Sequence, residues 1–578
     1  MKRSIPSIPQ LYRNAMRWTE IASVLSKYGL AGWLSKFNID FISDRLKAPD
    51  GGVLSKLTQE ARIKSALTEL GPTFIKFGQL LSTRPDVIGP NLANELEDLQ
   101  SKAPADPFEY VKEIIEAEQG ESLEDLFVEF EEEPFASASI GQVHRAKIKR
   151  DSSWLGDDPG ANDSPIMDVV VKVRHRGIER AVETDLDILA GLAQLAERLD
   201  DFKNYQPTKI VAEISRTMRR ELDFERERNN LNQFRAIYKD DEGLLIPEPF
   251  SRLSSTRMLT MSFLPGTRLN NYDGKPVNGF SATEIAREGA HRYLDMIFNH
   301  GFYHADPHPG NLMVMDDGAV GMLDFGMVGR VSERLREDIE AMLVAMVNED
   351  VSMLTTLVKR VGRCPVDLNE SALSNDIADF VGQYSTQVVA NFDMANALND
   401  FVSVVRNYKI VLPGEASMLI KTLISLEGTG RRLSPEFSLM EIMKPFQRML
   451  ILKRLSPARQ MRKMRRFYLE VEQLAEKLPQ RVSNILEQVQ SGSFNIHLDH
   501  RRLGPTANRL VVGLMTSALF LGSALMLSYK VPPLIFPGSG PIGIQDLSFL
   551  GLTGAIVSLL MGFRLMWSIR KSGNLDED

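Results

Sequence analysis

Apolar and polar positions change rhythm several times along this chain, and each change predicts a different element. Near the N-terminus, Tyr12, Met16, Ile21, Val24, Leu25 and Tyr28 recur at helical spacing. They predict an amphipathic helix packed on the main body in preference to one lying on a membrane surface. Residues 61–100 continue in helical rhythm, broken at Gly71-Pro72, where Pro72 is suited to the first turn of a new helix. From Glu131 the rhythm shortens to strand, small-residue turn, strand, through Ala136, Ser137, Ala138, Ser139, Ile140, Gly141 and Val143. A polar insertion over residues 151–165 precedes an apolar strand, residues 168–173, that carries one lysine, Lys172.

Helical spacing returns over residues 178–199, with Ile178, Val182, Leu186 and Leu189 on one stripe, and again over 208–238. A strand over residues 257–264 ends in Pro265-Gly266, and a helix over 281–300 follows it. Beyond Met327 the pattern is helical almost throughout, with a new helix expected near Ser332. Two uncharged stretches close the chain, residues 510–527 and 547–563, joined by a Pro- and Gly-rich connection. Each is long enough for a thin membrane span, and Gly513, Gly522, Gly551 and Gly554 would let the pair pack closely. Arg501, Arg502 and Arg509 precede the first, and Arg564, Arg570 and Lys571 end the second. Basic residues at both outer ends predict a hairpin with both ends, and the body before it, in the cytoplasm of a bacterial inner or plasma membrane.

Composition narrows the function classes. At 578 residues several domains are expected, and a net charge of −8 argues against a general nucleic-acid binder. The single cysteine, Cys364, excludes an internal disulfide framework and a cysteine-based zinc cluster. A basic run over residues 448–466 reads as a solvated face or a patch for anionic lipid.

The chemistry concentrates in two segments, His304-Ala305-Asp306-Pro307-His308-Pro309-Gly310-Asn311 and Leu323-Asp324-Phe325-Gly326. Asn311 follows Asp306 by five residues and Asp324 follows Asn311 by thirteen, the spacing of a protein-kinase phosphoryl-transfer core. Asp306 would handle the acceptor hydroxyl or water, while Asn311 and Asp324 would bind Mg2+ against ATP phosphates. His304 and His308 read as loop-shaping hydrogen bonders in preference to zinc ligands. A lysine within an apolar strand is costly unless paired, so Lys172 is expected to meet nucleotide phosphates and a helix carboxylate. Glu183 and Glu221 are both candidates for that partner. Backbone groups near residues 262–264 would face adenine. After Asp324-Phe325-Gly326 the sequence has no recognisable activation segment, which weighs against an ordinary peptide acceptor.

With Lys76-Phe77-Gly78-Gln79, the Ala-Ser loop, Glu221-Leu222-Asp223 and His304 through Asn311 in view, the chain resembles the UbiB family of atypical kinases, also called AarF-domain kinases. The likeness is strongest over residues 71–330. It implies an α+β, bilobal protein-kinase-like fold with an N-terminal helical extension (1–125), an N-lobe (126–268), a C-lobe with a helical extension (269–500) and a transmembrane hairpin (501–578). It implies ATP and Mg2+ as cofactors, ATPase activity ahead of protein phosphorylation, and a role in isoprenoid-quinone (ubiquinone) biosynthesis. Membrane lipids, isoprenoid-quinone intermediates and quinone-biosynthesis proteins would be its partners. The family's alanine-rich loop would fall on Ala136 to Ile140, here with Ser137 as a departure. Lys76 and Gln79 would belong to an extension covering the site, and Glu221 and Asp223 to the family's Glu-x-Asp motif, which favours Glu221 over Glu183 for Lys172. Lys76 near Glu221 or Asp223 would lock the site. Two other classes compete: a small-molecule phosphotransferase of the aminoglycoside or choline kinase type, and a nucleotide-binding pseudokinase scaffold.

Overall fold

The computed structural model describes residues 8–30, 57–149 apart from 98 and 100–103, 166–385, 392–443, 503–538 and 546–571, with scattered positions between 446 and 483. The polar insertion, nearly all of the basic run and residues 31–46 lie outside the described residues. The chain divides into two compact units, one before and one after residue 459.

The first unit opens with helices α1 (Ile8–Lys27), α2 (Gln59–Leu70), α3 (Pro72–Ser82), α4 (Pro90–Glu97) and α5 (Phe108–Gln119). Helix α1 buries Ile21 and Val24 among Phe74, Leu186 and Ile188, so it packs on the body; Met16, expected on that face, is exposed. Gly71 separates α2 from α3 at φ 95°, a backbone region that glycine enters without strain, and Pro72 starts α3.

Strands β1 (Glu129–Phe130), β2 (Ala136–Ser137), β3 (Gly141–Lys149) and β4 (Ile166–Arg174) follow. Helices α6 (Ile178–Ala196), α7 (Pro207–Glu221) and α8 (Phe224–Ile237) come next, then β5 (Leu244–Leu245), β6 (Met258–Ser262) and β7 (Gly266–Arg268). The expected helix over residues 208–238 is thus two helices. Asp223 breaks it by leaving helical geometry, and its side chain accepts the Glu225 N–H to cap α8. Strands β1, β3, β4 and β6 form the N-lobe sheet in that order, with β2 paired to β3 and every pair antiparallel. Val169, Val171 and Val173 of β4 bury against Val111 and Ile115 of α5, which leaves Lys172 on the opposite face.

The C-lobe adds α9 (Ala282–Asp295), which begins with a capping box from Ser281 and Glu284. Strands β8 (Phe302–His304), β9 (Leu312–Met315), β10 (Val320–Met322) and β11 (Val328–Arg330) come next. Because β6 belongs to the N-lobe sheet and β7 pairs with β9, Phe263 to Pro265 cross between the lobes. Only β11, Val331 and Ser332, the cap of α10 (Glu333–Val347), separate Asp324-Phe325-Gly326-Met327 from the helical region. There α11 (Val351–Val361), α12 (Glu370–Ser385), α13 (Met394–Asn407) and α14 (Gly414–Leu433) complete the unit.

The N-terminal extension is latched to this helical region by a buried ion pair. Asp86 accepts two hydrogen bonds from Arg84 at 2.9 and 3.0 Å, one from Leu412 N–H at 3.1 Å and one from Ser417 Oγ at 3.0 Å. Neither charged group is exposed beyond 5%. Asp86→Ala would leave Arg84 only the Leu412 carbonyl at 3.1 Å and Glu213 at 3.4 Å, would unpair Leu412 N–H and Ser417, and is expected to cost about 3 kcal/mol of unfolding free energy in urea titrations. A loss under about 1 kcal/mol would show that the latch does not hold the extension.

The second unit is a hairpin of α15 (Leu503–Ser528) and α16 (Phe549–Lys571). Leu547-Ser548, expected inside the second helix, instead pairs as a short strand with Leu534-Ile535. A Cβ on Gly551 would come 2.8 Å from Leu527 Cγ, and one on Gly554 would meet Ser523 Oγ, so both glycines set the close approach of the helices. Residues 508–528 and 549–567 are long and apolar enough to cross a membrane. Leu510, Leu514, Leu560 and Phe563 are all more than 60% exposed, unlike the core helix of a soluble domain.

Candidate active site

Lys172 projects from β4 into the cleft between the lobes. Its Nζ donates to Glu227 at 2.9 and 3.1 Å and lies 3.5 Å from Asp324 Oδ1. The helix carboxylate is therefore Glu227, neither Glu221 nor Glu183. Glu183 is a half-exposed partner of Arg219. On one continuous helix Glu221 and Glu227 would point about 120° apart. The break at Leu222-Asp223 brings both carboxyls to the cleft. A signal for Glu227 did exist: it falls at i, i+4 and i+7 with Leu231 and Phe234, both fully buried, so it is the charged member of an apolar face. Its charged neighbours, Glu225, Arg226 and Arg228, hid it.

Glu221 pairs with Lys76 at 2.5 Å, with both side chains largely buried. The residues around Lys76 explain its aim. A Cβ on Gly78 would lie 2.5 Å from Leu99 Cδ1 and 3.0 Å from Leu67 Cδ1, so glycine permits α3 to sit this close to its neighbours. Gln79 Nε2 donates to the Leu99 carbonyl at 2.6 Å. Gln79 thus fixes the helix without reaching the cleft, and Asp223 serves as the cap of α8, 3.4 Å from Arg226.

Asp306 and Asn311 are joined by a hydrogen bond from Asn311 Nδ2 to Asp306 Oδ2 of 2.7 Å. His304, wholly buried, accepts the Asp306 N–H at Nδ1 and donates from Nε2 toward the carbonyls of Leu323 and Asp324 at 2.9 and 3.1 Å. That one ring ties the loop before Asn311 to the segment bearing Asp324. His308 Nδ1 accepts from Gly310 N–H and shapes the turn. From below, Thr422 and Thr429 of α14 donate to the carbonyls of Ala305 and Pro307 at 3.0 and 2.9 Å. Asp324 has φ 53°, a conformation that Asp tolerates better than most residues, and its carboxylate, 54% exposed, opens on the cleft. Phe325 is buried against Phe234 and His304.

The Ala-Ser loop closes the other side. Ala138 is its exposed tip, Ser139 is buried, and Ile140 packs among the apolar side chains beneath. A Cβ on Gly141 would strike the Val173 carbonyl, and Val143 pairs directly with Lys172 across the strands. Below the tip, His175 has Nε2 2.9 Å from the Ala138 carbonyl and Nδ1 2.8 Å from Asp106 Oδ2. Asp106 also accepts the Arg176 N–H. The sequence reading missed this brace, because Asp106 and His175 are 69 residues apart and neither stands in a motif.

The electrostatics follow from the crowding of charge. Burial would lower the Lys172 ammonium, but Asp324 and then Glu227 hold it well above its usual range. The same happens at Lys76 through Glu221, Asp324 and Asp306. Lys172 holds the Asp324 carboxyl far below the usual range, against the opposing effect of burial. Burial pushes the Glu221 and Glu227 carboxyls up, opposed by their lysines. Two ammonium groups thus face four carboxylates, an excess of two negative charges that a divalent cation would balance. Asn311 spends its amide N–H on Asp306, so its Oδ1 could serve a metal together with the exposed carboxylate of Asp324. Hard oxygens of this kind suit Mg2+, which takes few protein ligands and completes its shell with phosphate and water. Among the described residues no group of three or more His, Cys, Asp and Glu side chains forms a separate metal site.

The ABC1 atypical kinase-like domain matches residues 98–358, the UbiB helical domain matches 377–438, and the ABC1/UbiB kinase-like C-terminal domain matches 496–571. An uncharacterized protein in the hydrogenase 1 5' region of Clostridium pasteurianum is 27% identical over 575 residues, covering 97% of this chain and 99% of that one. The uncharacterized protein sll1770 of Synechocystis sp. is 28% identical over 494 residues, 82% of each chain. The solved complex of Rv3197 with erythromycin from Mycobacterium tuberculosis aligns with 65% of this chain and 93% of that one, at 21% identity and a TM-score of 0.42. Three successive matches from one family, over most of the chain and around the site just described, make this protein a member of the UbiB/ABC1 family of atypical kinase-like proteins.

Proposed function

We propose that the protein is a membrane-anchored ATPase of kinase-like chemistry that supports isoprenoid-quinone (ubiquinone) or related lipid metabolism. The observation that carries the chemical part is the convergence of Lys172, Glu227 and Asp324 opposite the Asp306–Asn311 pair. Lys172, held cationic and oriented by Glu227, would bind nucleotide phosphates. Asn311 and Asp324 would hold Mg2+, which when bound neutralises charge developing on the phosphoryl oxygens. Asp306, oriented by the Asn311 amide, would accept the proton of the attacking water or small hydroxyl. Ala136 to Gly141 would cover the phosphates, with backbone N–H groups in place of side chains. Phe263 and Leu264, where the chain crosses between lobes, would border adenine.

Lys76 of α3, paired with Glu221 and near enough to Asp306 to feel its charge, would narrow the approach of an incoming hydroxyl, and only β11, Val331 and a cap residue follow Asp324-Phe325-Gly326-Met327. Both features favour water, or a small lipid-borne group, over a peptide. Anchoring would come from α15 and α16, with the kinase-like body on the cytoplasmic side. The test is ATP hydrolysis by the purified chain with and without Mg2+, together with fractionation of the full chain and of a form lacking residues 503–578. Mg2+-dependent phosphate release stimulated by vesicles containing quinone precursors, and release of the shortened form from membranes, are expected. Stoichiometric phosphate transfer to a small soluble alcohol would overturn the ATPase reading, and retention of the shortened form would overturn the anchor.

A further inference from the structure

Away from Lys172 and Asp324, a cleft of about 770 Å³ opens between α7, α6 and the chain leading into α14. Its size falls within the range of small-molecule sites. None of Lys172, Asp306, Asn311 and Asp324 lines it. Leu186, Ile210, Val361 and Val411 supply apolar walls. The charges at its mouth are unbalanced. Of its cations, Arg84 is engaged by Asp86 and Arg219 by Glu183. Among the described residues the Arg363 guanidinium bonds to the Gln206 side chain and to the carbonyls of Asn204 and Tyr205, and its charge meets no carboxylate there. Lys209 and Arg216, seven residues or about two turns of α7 apart on the lining face, make no ion pair among the described residues and are exposed. The acids in the lining are Glu213, drawn to Arg84 at 3.4 Å, and Asp187.

Exposed cations normally scatter over a surface, whereas these three ring an apolar hollow. We propose that the cleft binds an organic anion that joins a phosphate or carboxylate headgroup to an aliphatic or aromatic body. The headgroup lies among Lys209, Arg216 and Arg363, and the body rests on Leu186, Ile210 and Val411. Charge-assisted hydrogen bonds to a phosphate or carboxylate give the headgroup selectivity, and burial of the body adds affinity in proportion to its area. Arg219, at the same wall, stands two residues before Glu221, so the ligand rests on the helix that ends at the Lys76 pair.

The experiment is a calorimetric titration of the full chain in lipid nanodiscs, with empty nanodiscs subtracted. The probes are hexyl phosphate, hexanoate, hexanol and inorganic phosphate. The better of the two alkyl anions is expected to bind at least about tenfold tighter than hexanol or inorganic phosphate, and the ranking of the two assigns the headgroup. Lys209→Gln with Arg216→Gln should weaken that binding at least about tenfold while basal ATP turnover stays unchanged. Ala190→Trp, which fills the hollow, should weaken it equally. Hexanol binding as tightly as the alkyl anions, or undiminished binding in both variants, would overturn the proposal. Because these substitutions lie outside the nucleotide site, failure here leaves the ATPase reading standing, and failure of ATP hydrolysis leaves this site standing.

Discussion

Asp324→Asn is expected to reduce Mg2+-dependent ATP binding by about 100-fold, close to 2.7 kcal/mol at 1.36 kcal/mol per decade. The carboxylate contributes twice, as an oxygen open to the cleft and as a second pairing charge for Lys172 beside Glu227. An amide of the same shape keeps the oxygen but not the charge. The substitution should spare the fold, because Asn tolerates the φ of 53° at this position as well as Asp does and more than half of the side chain is exposed. Lys172 keeps Glu227, so the loss should appear in binding with Mg2+ and far less in binding of nucleotide with EDTA. Titration of a fluorescent ATP analogue with and without Mg2+ measures both. Wild-type affinity with Mg2+ would show that Asp324 is not a metal ligand. Thermal denaturation of the variant separates this from unfolding.

The parts of this site that could be read from sequence are those carried by short spacings. Asp306, Asn311 and Asp324 lie within eighteen residues of chain, and the hydrogen bonds among their backbones and His304 make that spacing obligatory. Lys172 was legible because a lysine in a valine-rich strand demands a partner. Partnership across the fold was not legible. Glu227 and Glu221 lie six residues apart, and only the cap at Asp223 decides which lysine each one meets. The Asp106–His175 brace, the Asp86 latch and the threonines under the catalytic loop join residues between 69 and more than 300 positions apart, with no local pattern to announce them. Hydrophobic rhythm located helices well and their breaks poorly, because a break such as that at Asp223 is made by one capping side chain within an otherwise helical pattern.

The extension over the cleft makes the second large prediction. Lys76→Ala should change the products of ATP turnover, raising phosphate transferred to protein hydroxyls per ATP hydrolysed by at least about tenfold. Lys76 and Glu221 are both largely buried, and removing the ammonium takes from Glu221 its only direct ion pair among the described residues, leaving the more distant Lys172, a cost of about 3 kcal/mol where the geometry cannot relax. Among the described residues Glu221 Oε1 already has no hydrogen-bond partner, so the site has little slack to absorb the loss. The strain can be relieved by moving α3 outward, which uncovers the approach to Asp306 that larger acceptors need. Glu221→Ala should produce the same change by stranding the lysine, and the double variant should go no further than either single one, because all three break one contact. Incorporation of label from γ-labelled ATP, divided by total hydrolysis, measures this and cancels any loss of folded protein. A wild-type ratio in both single variants would sink the lock. Gln79→Ala is the sharper control. It loosens the same helix at Leu99 while leaving the ion pair intact, so a full product change there would assign the effect to helix mobility and not to the Lys76–Glu221 charge pair.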